Sequence, residues 1–372
     1  MTFVGLLPLL LSAAGLLYTL LAWQTVALFS HAPLAPETLP EPVTLLKPLH
    51  GAEPRLAENL ATFFHQRWAA PLEMVAGVGR ADDPAADVAR SLAGDVRLVV
   101  DGRRHGANAK IGNLVNMEGA ASHDLLVLSD SDMAVPDDYL PIVAAALARP
   151  GVGAVTCLYR GRGDAGGWST LGAAAISYHF LPSVLVGLRL GKARPCMGST
   201  IALRRETLAR LGGFRRFADI LADDYAIGEA VRDLGLTVAV PRLVITHGCA
   251  ERSLGALLRH ELRWAATVRQ LDFGGHAGMV TTFPVPFALL AMTWLPLPGA
   301  AALLAGLVAR WALARAVDRL AGARSASPWI MPLRDCLSLV VFLLSFLVGS
   351  VEWRGSRLAM RRNGRITAEA RP

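Results

Sequence analysis

Apolar residues follow two patterns along this chain. Toward both ends they run in unbroken blocks; in the middle they recur with the periods of strands and helices. Residues 4–29 carry no charged side chain and are long enough to cross the hydrocarbon core of a bilayer. A cleaved signal peptide is the competing reading. No basic segment precedes the block, and it is longer than an ordinary signal core, so a retained anchor is expected. Residues 283–308 and 329–351 form two further apolar blocks. Pro296-Leu-Pro298-Gly299 interrupts the first of these, leaving either one kinked span or a hairpin that uses 303–317 as another span.

Between the blocks the pattern is that of a folded domain. Residues 42–49, 72–78, 96–100 and 124–128 read as strands. Residues 54–66 have helical spacing, with Leu56, Leu60, Phe63 and Phe64 on one face, and 109–121 is a second helix. Asp137 or Asp138 then caps a helix through Leu147. Strand alternating with helix predicts an α/β domain with a doubly wound parallel sheet. Residues 168–190 are apolar enough to pose as a span, but Tyr178, His179 and Arg189 along them favour a buried or interfacial helix. The expected organisation is an anchor over 1–30, a globular domain over 40–250, an interfacial helix region over 251–282, a C-terminal membrane region over 283–351 and a basic tail over 352–372.

The chemistry concentrates at one strand end. Leu125-Leu-Val-Leu-Ser-Asp130-Ser-Asp132 is a buried-strand pattern that stops in two carboxylates one residue apart. A solvent-shy strand gains nothing from two anions at its tip unless a cation sits there. Oxygen ligands of this kind suit Mg²⁺ or Mn²⁺, ions that commonly accompany diphosphates. Alone, Asp-Ser-Asp is more often a turn or a helix cap.

Composition narrows the class. Of 372 residues, 53% are apolar, more than in an ordinary soluble enzyme. The net charge is +7, and only Lys47, Lys110 and Lys192 are lysines, so arginine carries the basicity. No dense basic helix, basic–aromatic alternation or zinc spacing accompanies it, so a membrane surface and a phosphorylated substrate explain the charge better than nucleic acid. Cys157, Cys196, Cys249 and Cys336 are scattered without a CxxC, which fits a reducing compartment. Gly161-Arg-Gly163-Asp-Ala-Gly166 fits a dinucleotide pattern but lacks the acidic partner about twenty residues on. Gly187–Lys192 resembles a phosphate loop one residue short.

Four more features stand in order on the chain. Asp82-Asp83-Pro84 follows the second strand, and Asn108-Ala-Lys110-Ile-Gly-Asn113 opens a helix. Asp223-Asp224-Tyr225 follows a Gly-Gly-Phe turn at 212–214, and His260-Glu-Leu-Arg263-Trp264 lies in a helical stretch before the second membrane region. Each has a plain structural reading: a cap before Pro84, solvated charges at a helix start, an interfacial anchor. Taken together, these motifs resemble those of membrane-bound glycosyltransferases with D, D, D, (Q/R)xxRW signatures, most of all the ceramide glucosyltransferase family and its bacterial relatives that glycosylate hopanoids. Leu46-Lys47-Pro48-Leu49-His50-Gly51, Cys196-Met-Gly198-Ser and Trp353-Arg354-Gly355-x-Arg357 extend the likeness to nearly the whole chain. His260 departs from the pattern where Gln or Arg is expected, and Asp223 departs where Glu is usual.

The resemblance implies a GT-A-like domain that binds a UDP-sugar on the cytoplasmic side of a bacterial inner membrane, crossed several times by flanking helices. Asp83 would hold the uridine end of the donor with Lys110 nearby. Asp130 and Asp132 would hold the Mg²⁺ or Mn²⁺ that bridges the diphosphate, and Asp224 would be the base that deprotonates the acceptor hydroxyl. Arg263 would meet the diphosphate; Trp264, with His260, would line the acceptor side at the membrane surface. The implied reaction transfers N-acetylglucosamine from UDP-GlcNAc to a hopanoid polyol, with inversion. The alternatives are a ceramide or other lipid glucosyltransferase using UDP-glucose, or a processive polysaccharide synthase.

Overall fold

The computed structural model describes residues 2–348, 350–353, 356–360 and 366–368. Most of the basic tail, including Arg354, Arg361, Arg362, Arg365 and Arg371, lies outside the described residues. The chain divides into two compact units, one built mainly from 33–159 and 194–250, the other from 1–32, 160–193 and 251–364. Residues 160–193, which the sequence places inside a single 40–250 block, therefore group with the apolar helices.

The first unit is an α/β domain. In chain order the strands are β1 (Val43–Pro48), β2 (Leu72–Val78), β3 (Asp95–Val100), β4 (Leu125–Leu128), β5 (Met133–Ala134), β6 (Val152–Val155), β7 (Leu158–Gly163), β8 (Ile201–Arg204), β9 (Thr237–Ala239) and β10 (Val244–Cys249). Seven of them form one sheet in the order β3-β2-β1-β4-β8-β6-β9. β3, β2, β1 and β4 are parallel, joined by the helices Leu56–Thr62, Pro84–Ser91 and Ala109–Glu118. β8 then runs antiparallel to both β4 and β6. The wholly parallel sheet expected from the strand–helix alternation is thus corrected to a mixed one. β8 enters the sheet from far along the chain, beyond the reach of local periodicity.

Every residue of β1 and β4 is buried, which is why these segments read as continuous apolar runs rather than alternating ones. The core beneath the sheet joins Leu46, Val75, Ile111, Leu114, Leu126 and Leu128 to Phe214, Phe217, Ile227 and Val231. A small second sheet pairs β5 with β10, setting His247 opposite Met133. In this way β10 is brought beside the segment that follows Asp132.

The second unit holds the apolar helices. Among the described residues four are long and apolar enough to cross a bilayer: Val4–Ser30, Gly167–Arg189, Pro296–Leu320 and Pro328–Ser345. A fifth candidate is the pair Phe273–Thr282 and Pro284–Met292, bent by 53°. The break anticipated near Pro296-Leu-Pro298 falls before Pro296, which opens a new helix as a proline at the first helical turn can. The polar residues of Gly167–Arg189 are paired. Tyr178 Oη donates to Asp318 Oδ1 at 2.8 Å, His179 meets Asp335 at 2.9 Å, and Arg189 donates to Gln24 Oε1 and Thr25 Oγ1, both at 3.1 Å. Tyr178 and His179 lie in a π-helical turn, Ile176–Phe180.

Candidate active site

The site of the α/β unit is assembled at the ends of β1, β2 and β4. β4 stops after Leu128, and the chain turns through Ser129, whose N–H reaches Leu46 O at 3.3 Å. Asp130 and Asp132 leave this turn one residue apart. Asp130 Oδ1 is 2.7 Å from Lys110 Nζ. Asp132 Oδ2 is 3.2 Å from Nε2 of His247 on β10. Burial pushes the Asp130 carboxyl above the ordinary aspartate range; Lys110 opposes this and Asp132 adds to it.

Lys110 is presented by the first turn of Ala109–Glu118, a helix capped by Asn108, whose Oδ1 accepts Ile111 N–H. Its ammonium also lies 3.4 Å from Asp223 Oδ2. Burial lowers its proton affinity, but Asp130, Asp223 and Asp224 outweigh that and hold it above the usual lysine value. Lysine at this position therefore neutralises the acidic cluster. The sequence placed Lys110 beside Asp83; in the structure its ion-pair partners are Asp130 and Asp223, because a buried ammonium is most stable between carboxylates.

Asp223 and Asp224 open the helix Asp223–Asp233 and point to different partners. Asp223 is buried and accepts from Asn108 Nδ2 at 3.1 Å as well as facing Lys110. Asp224 is half-buried; its Oδ2 accepts Gly198 N–H at 3.0 Å and its Oδ1 accepts Tyr225 N–H at 2.7 Å. Burial and the neighbouring Asp223 push the Asp224 carboxyl up to about 6, against the pull of Lys110. A carboxylate so placed is poised to exchange a proton near neutral pH, whereas Asp223 is committed to holding the cluster together.

Gly198 links the two halves of this arrangement. Its N–H serves Asp224, and its carbonyl accepts Asp130 N–H at 3.1 Å. A Cβ here would sit 2.6 Å from Asp130 Oδ2 and 2.8 Å from Lys110 Nζ, so any side chain at this position would displace the Asp130–Lys110 pair. Thr156 pins the loop by hydrogen bonds to both Met197 N and O. Neither Gly198 nor His247 was singled out individually in the sequence. Gly198 lay inside the quoted Cys196-Met-Gly198-Ser, but nothing in that motif announces a shared hydrogen-bond hub. His247 reaches Asp132 only through the pairing of β10 with β5.

Asp83 is a helix cap. Its Oδ1 accepts from Ala85 N and Gly51 N, both at 2.9 Å, and its Oδ2 lies 3.5 Å from His50 Nδ1. It thereby ties the loop after β1 to the loop after β2. Asp82 is exposed and pairs with Arg80.

His260, Arg263 and Trp264 belong to the other unit, on the helix Leu254–Leu271. His260 Nδ1 is hydrogen-bonded with the Glu251 carboxylate, and the ring meets that of Trp264 edge to face at 4.7 Å. Phe180 lies 6.4 Å from the same indole. The helix is fixed by a two-pronged pair from Arg334 to Glu261, at 2.6 and 2.9 Å.

Among the described residues no three His, Cys, Asp or Glu side chains converge as a ready-made metal cage. The donor chemistry fits a divalent ion nonetheless. Mg²⁺-like ions are usually held by one or two carboxylates together with substrate phosphates and water. Asp130 and Asp132 are two such carboxylates one residue apart, with the His247 imidazole against Asp132.

Residues 7–366 match the sequence profile of glycosyl transferase family 21. The chain is 24% identical to ceramide glucosyltransferase 1 of Caenorhabditis elegans over 216 residues, 56% of this chain and 46% of that protein. It is 25% identical to ceramide glucosyltransferase 3 of the same organism over 238 residues, 60% of this chain and 49% of that one. The chain thus spans about half the length of these curated relatives. Among solved structures, it superposes on the mannosyltransferase PcManGT from Pyrobaculum calidifontis, determined with GDP-Man and Mn²⁺, at a TM-score of 0.52 and 21% identity, covering 92% of this chain and 98% of that one. The mixed sheet is that of a GT-A glycosyltransferase, and the chain belongs to glycosyl transferase family 21.

Proposed function

We propose that this protein is an inverting glycosyltransferase that carries a sugar from a UDP-linked donor to a hydroxyl group of a membrane lipid. The observation that carries this reading is the Gly198 hub. The Asp224 carboxyl, raised to about 6, and the backbone of Asp130, whose carboxylate pairs with Lys110, are both hydrogen-bonded to Gly198, so proton acceptor and diphosphate end are tied to one residue.

Asp224 takes the proton from the acceptor hydroxyl as the oxygen attacks the anomeric carbon. A single base acting on the acceptor hydroxyl corresponds to a single displacement with inversion. Asp130 and Asp132 would hold a divalent ion, with His247 beside Asp132, and a bound ion would supply positive charge for the departing diphosphate. Lys110 is ion-paired with Asp130 and Asp223 and adds positive charge on the leaving-group side. Asp83, at the joined ends of β1 and β2, is assigned to the uridine end of the donor. Arg263 and Trp264 take the roles their motif implies, toward diphosphate and lipid respectively, with His260 supporting the indole.

A bilayer acceptor accounts for the apolar helices that flank and interrupt the α/β unit. Nucleotide sugars are cytosolic, so the α/β unit is assigned to the cytoplasmic face of a bacterial inner membrane. For the substrates we favour N-acetylglucosamine from UDP-GlcNAc and a hopanoid polyol. Glucosyl transfer from UDP-glucose to ceramide is the second reading, supported by the likeness to the two nematode enzymes. The deciding experiment incubates the purified protein with Mn²⁺, either UDP-sugar, and either a hopanoid polyol or ceramide, with mass spectrometry of the lipid. A hexosamine adduct on the hopanoid alone is expected. A hexose on ceramide would establish the second reading, and no adduct on any lipid would reject both.

A further inference from the structure

Lys47, at the end of β1, has no solvent-exposed surface although it carries a strongly polar ε-amino group. Lysine is almost never fully buried without compensation. Here Nζ donates to Ser129 Oγ at 2.9 Å and to the backbone carbonyl of Asp130 at 3.0 Å. It also lies 3.4 Å from the centroid of the Phe63 ring, which Tyr139 braces edge-on at 5.5 Å. The nearby Asp130 carboxylate pairs with Lys110 instead. Lys47 thus grips the turn that bears Asp130 and Asp132 by its main chain and its serine, from the core side. The same turn is held by Asp130 N–H on Gly198 O at 3.1 Å, Gly248 N–H on Asp132 O at 2.8 Å and Ser129 N–H on Leu46 O at 3.3 Å; to these main-chain bonds Lys47 adds a side-chain grip on Ser129 and on the Asp130 carbonyl.

We propose that Lys47 is a positioning residue for metal and donor binding: by clamping Ser129 and the Asp130 carbonyl it holds the two aspartates in register as joint ligands. The inference rests on the metal role proposed for Asp130 and Asp132. Groups that orient metal ligands without touching the ion typically contribute about 10–100-fold in affinity. A purely packing role would be met equally by an apolar side chain of the same length.

The test is Mn²⁺ binding, read from the loss of the free-ion electron paramagnetic resonance signal, in detergent-purified wild type, Lys47→Met, Ser129→Ala and Asp132→Asn, with UDP present, alongside thermal unfolding. Wild type is expected to bind and Asp132→Asn to bind far more weakly. Lys47→Met should remain folded with Mn²⁺ affinity weakened about 10–100-fold, and Ser129→Ala should show a smaller loss in the same direction. Folded Lys47→Met with wild-type affinity would overturn the inference while leaving the metal role intact. If Lys47→Met does not fold, Ser129→Ala decides: unchanged affinity in that variant overturns the clamp. Equal binding by wild type and Asp132→Asn would instead reject the metal role itself.

Discussion

Asp224 pairs reactivity with instability. Its carboxyl, raised to about 6 by burial and by Asp223, must be ionised to act as a base. Transfer is therefore expected to rise through about pH 6 and level off above it, measured as kcat against pH at saturating donor. Asp224→Asn should lower kcat by roughly 10²–10⁴-fold while UDP affinity persists. The stability effect has the opposite sign. A carboxyl whose folded pKa exceeds its unfolded value near 4 binds more protons in the native state, so it stabilises the fold at low pH and that contribution is lost between about pH 4 and 6. Asp224→Asn should accordingly unfold at a higher temperature than wild type at pH 7; a lower one would show the carboxylate to be structurally required. Gly198 gives a second residue-level test. Gly198→Ala places a methyl 2.6 Å from Asp130 Oδ2 and 2.8 Å from Lys110 Nζ. It should weaken Mn²⁺-dependent UDP binding by at least about tenfold with the secondary structure unchanged, as calorimetry and circular dichroism would report.

At the scale of elements, the helix Leu254–Leu271 concentrates the acceptor-side expectations. Its Ser253 cap, the Glu251–His260 pair and the buried Arg334–Glu261 pair fix its start and middle within its own unit. His260 stands where the resemblance led us to expect Gln or Arg, and its place against Glu251 and the Trp264 ring gives it a local role. Trp264→Ala should reduce transfer to a long lipid acceptor several times more than it slows hydrolysis of the UDP-sugar by water. Arg263→Ala should impair both. Measuring the two activities on the same purified variants checks this; equal losses in Trp264→Ala would assign the indole to the donor side or the fold. The strands show how much of an element is legible locally. Leu72–Val78 appears with the bounds the apolar run predicted, and 96–100 and 124–128 differ by one residue at the start. β8 and β10 were missed. β8 is an antiparallel insertion between β4 and β6, and β10 pairs with the two-residue β5, so the neighbours of both are fixed by pairing rather than by their own pattern.

For the whole molecule, the proposed topology makes a prediction about sidedness. In sealed inverted membrane vesicles, whose cytoplasmic face is outward, added UDP-sugar should be used without permeabilisation. In right-side-out vesicles activity should appear only after the membrane is opened. Activity in intact right-side-out vesicles would place the α/β unit on the opposite face.

The amino-acid order alone determined what depends on local composition: the apolar blocks, the strand–helix alternation and the acidic ends of buried strands. Burying a strand on both faces demands an apolar run, and a charge at its tip is conspicuous against that run. Tertiary structure decided everything that depends on residues far apart in the chain. It separated Asp223, held by Asn108 and Lys110, from Asp224, held by Gly198, although the two are adjacent and chemically identical. It brought His247 to Asp132 and Lys47 to Ser129, and it grouped 160–193 with the apolar helices. The reason is physical: the partner that compensates a buried charge is chosen by how the sheet and helices pack, and nothing in the spacing of the charge along the chain records it.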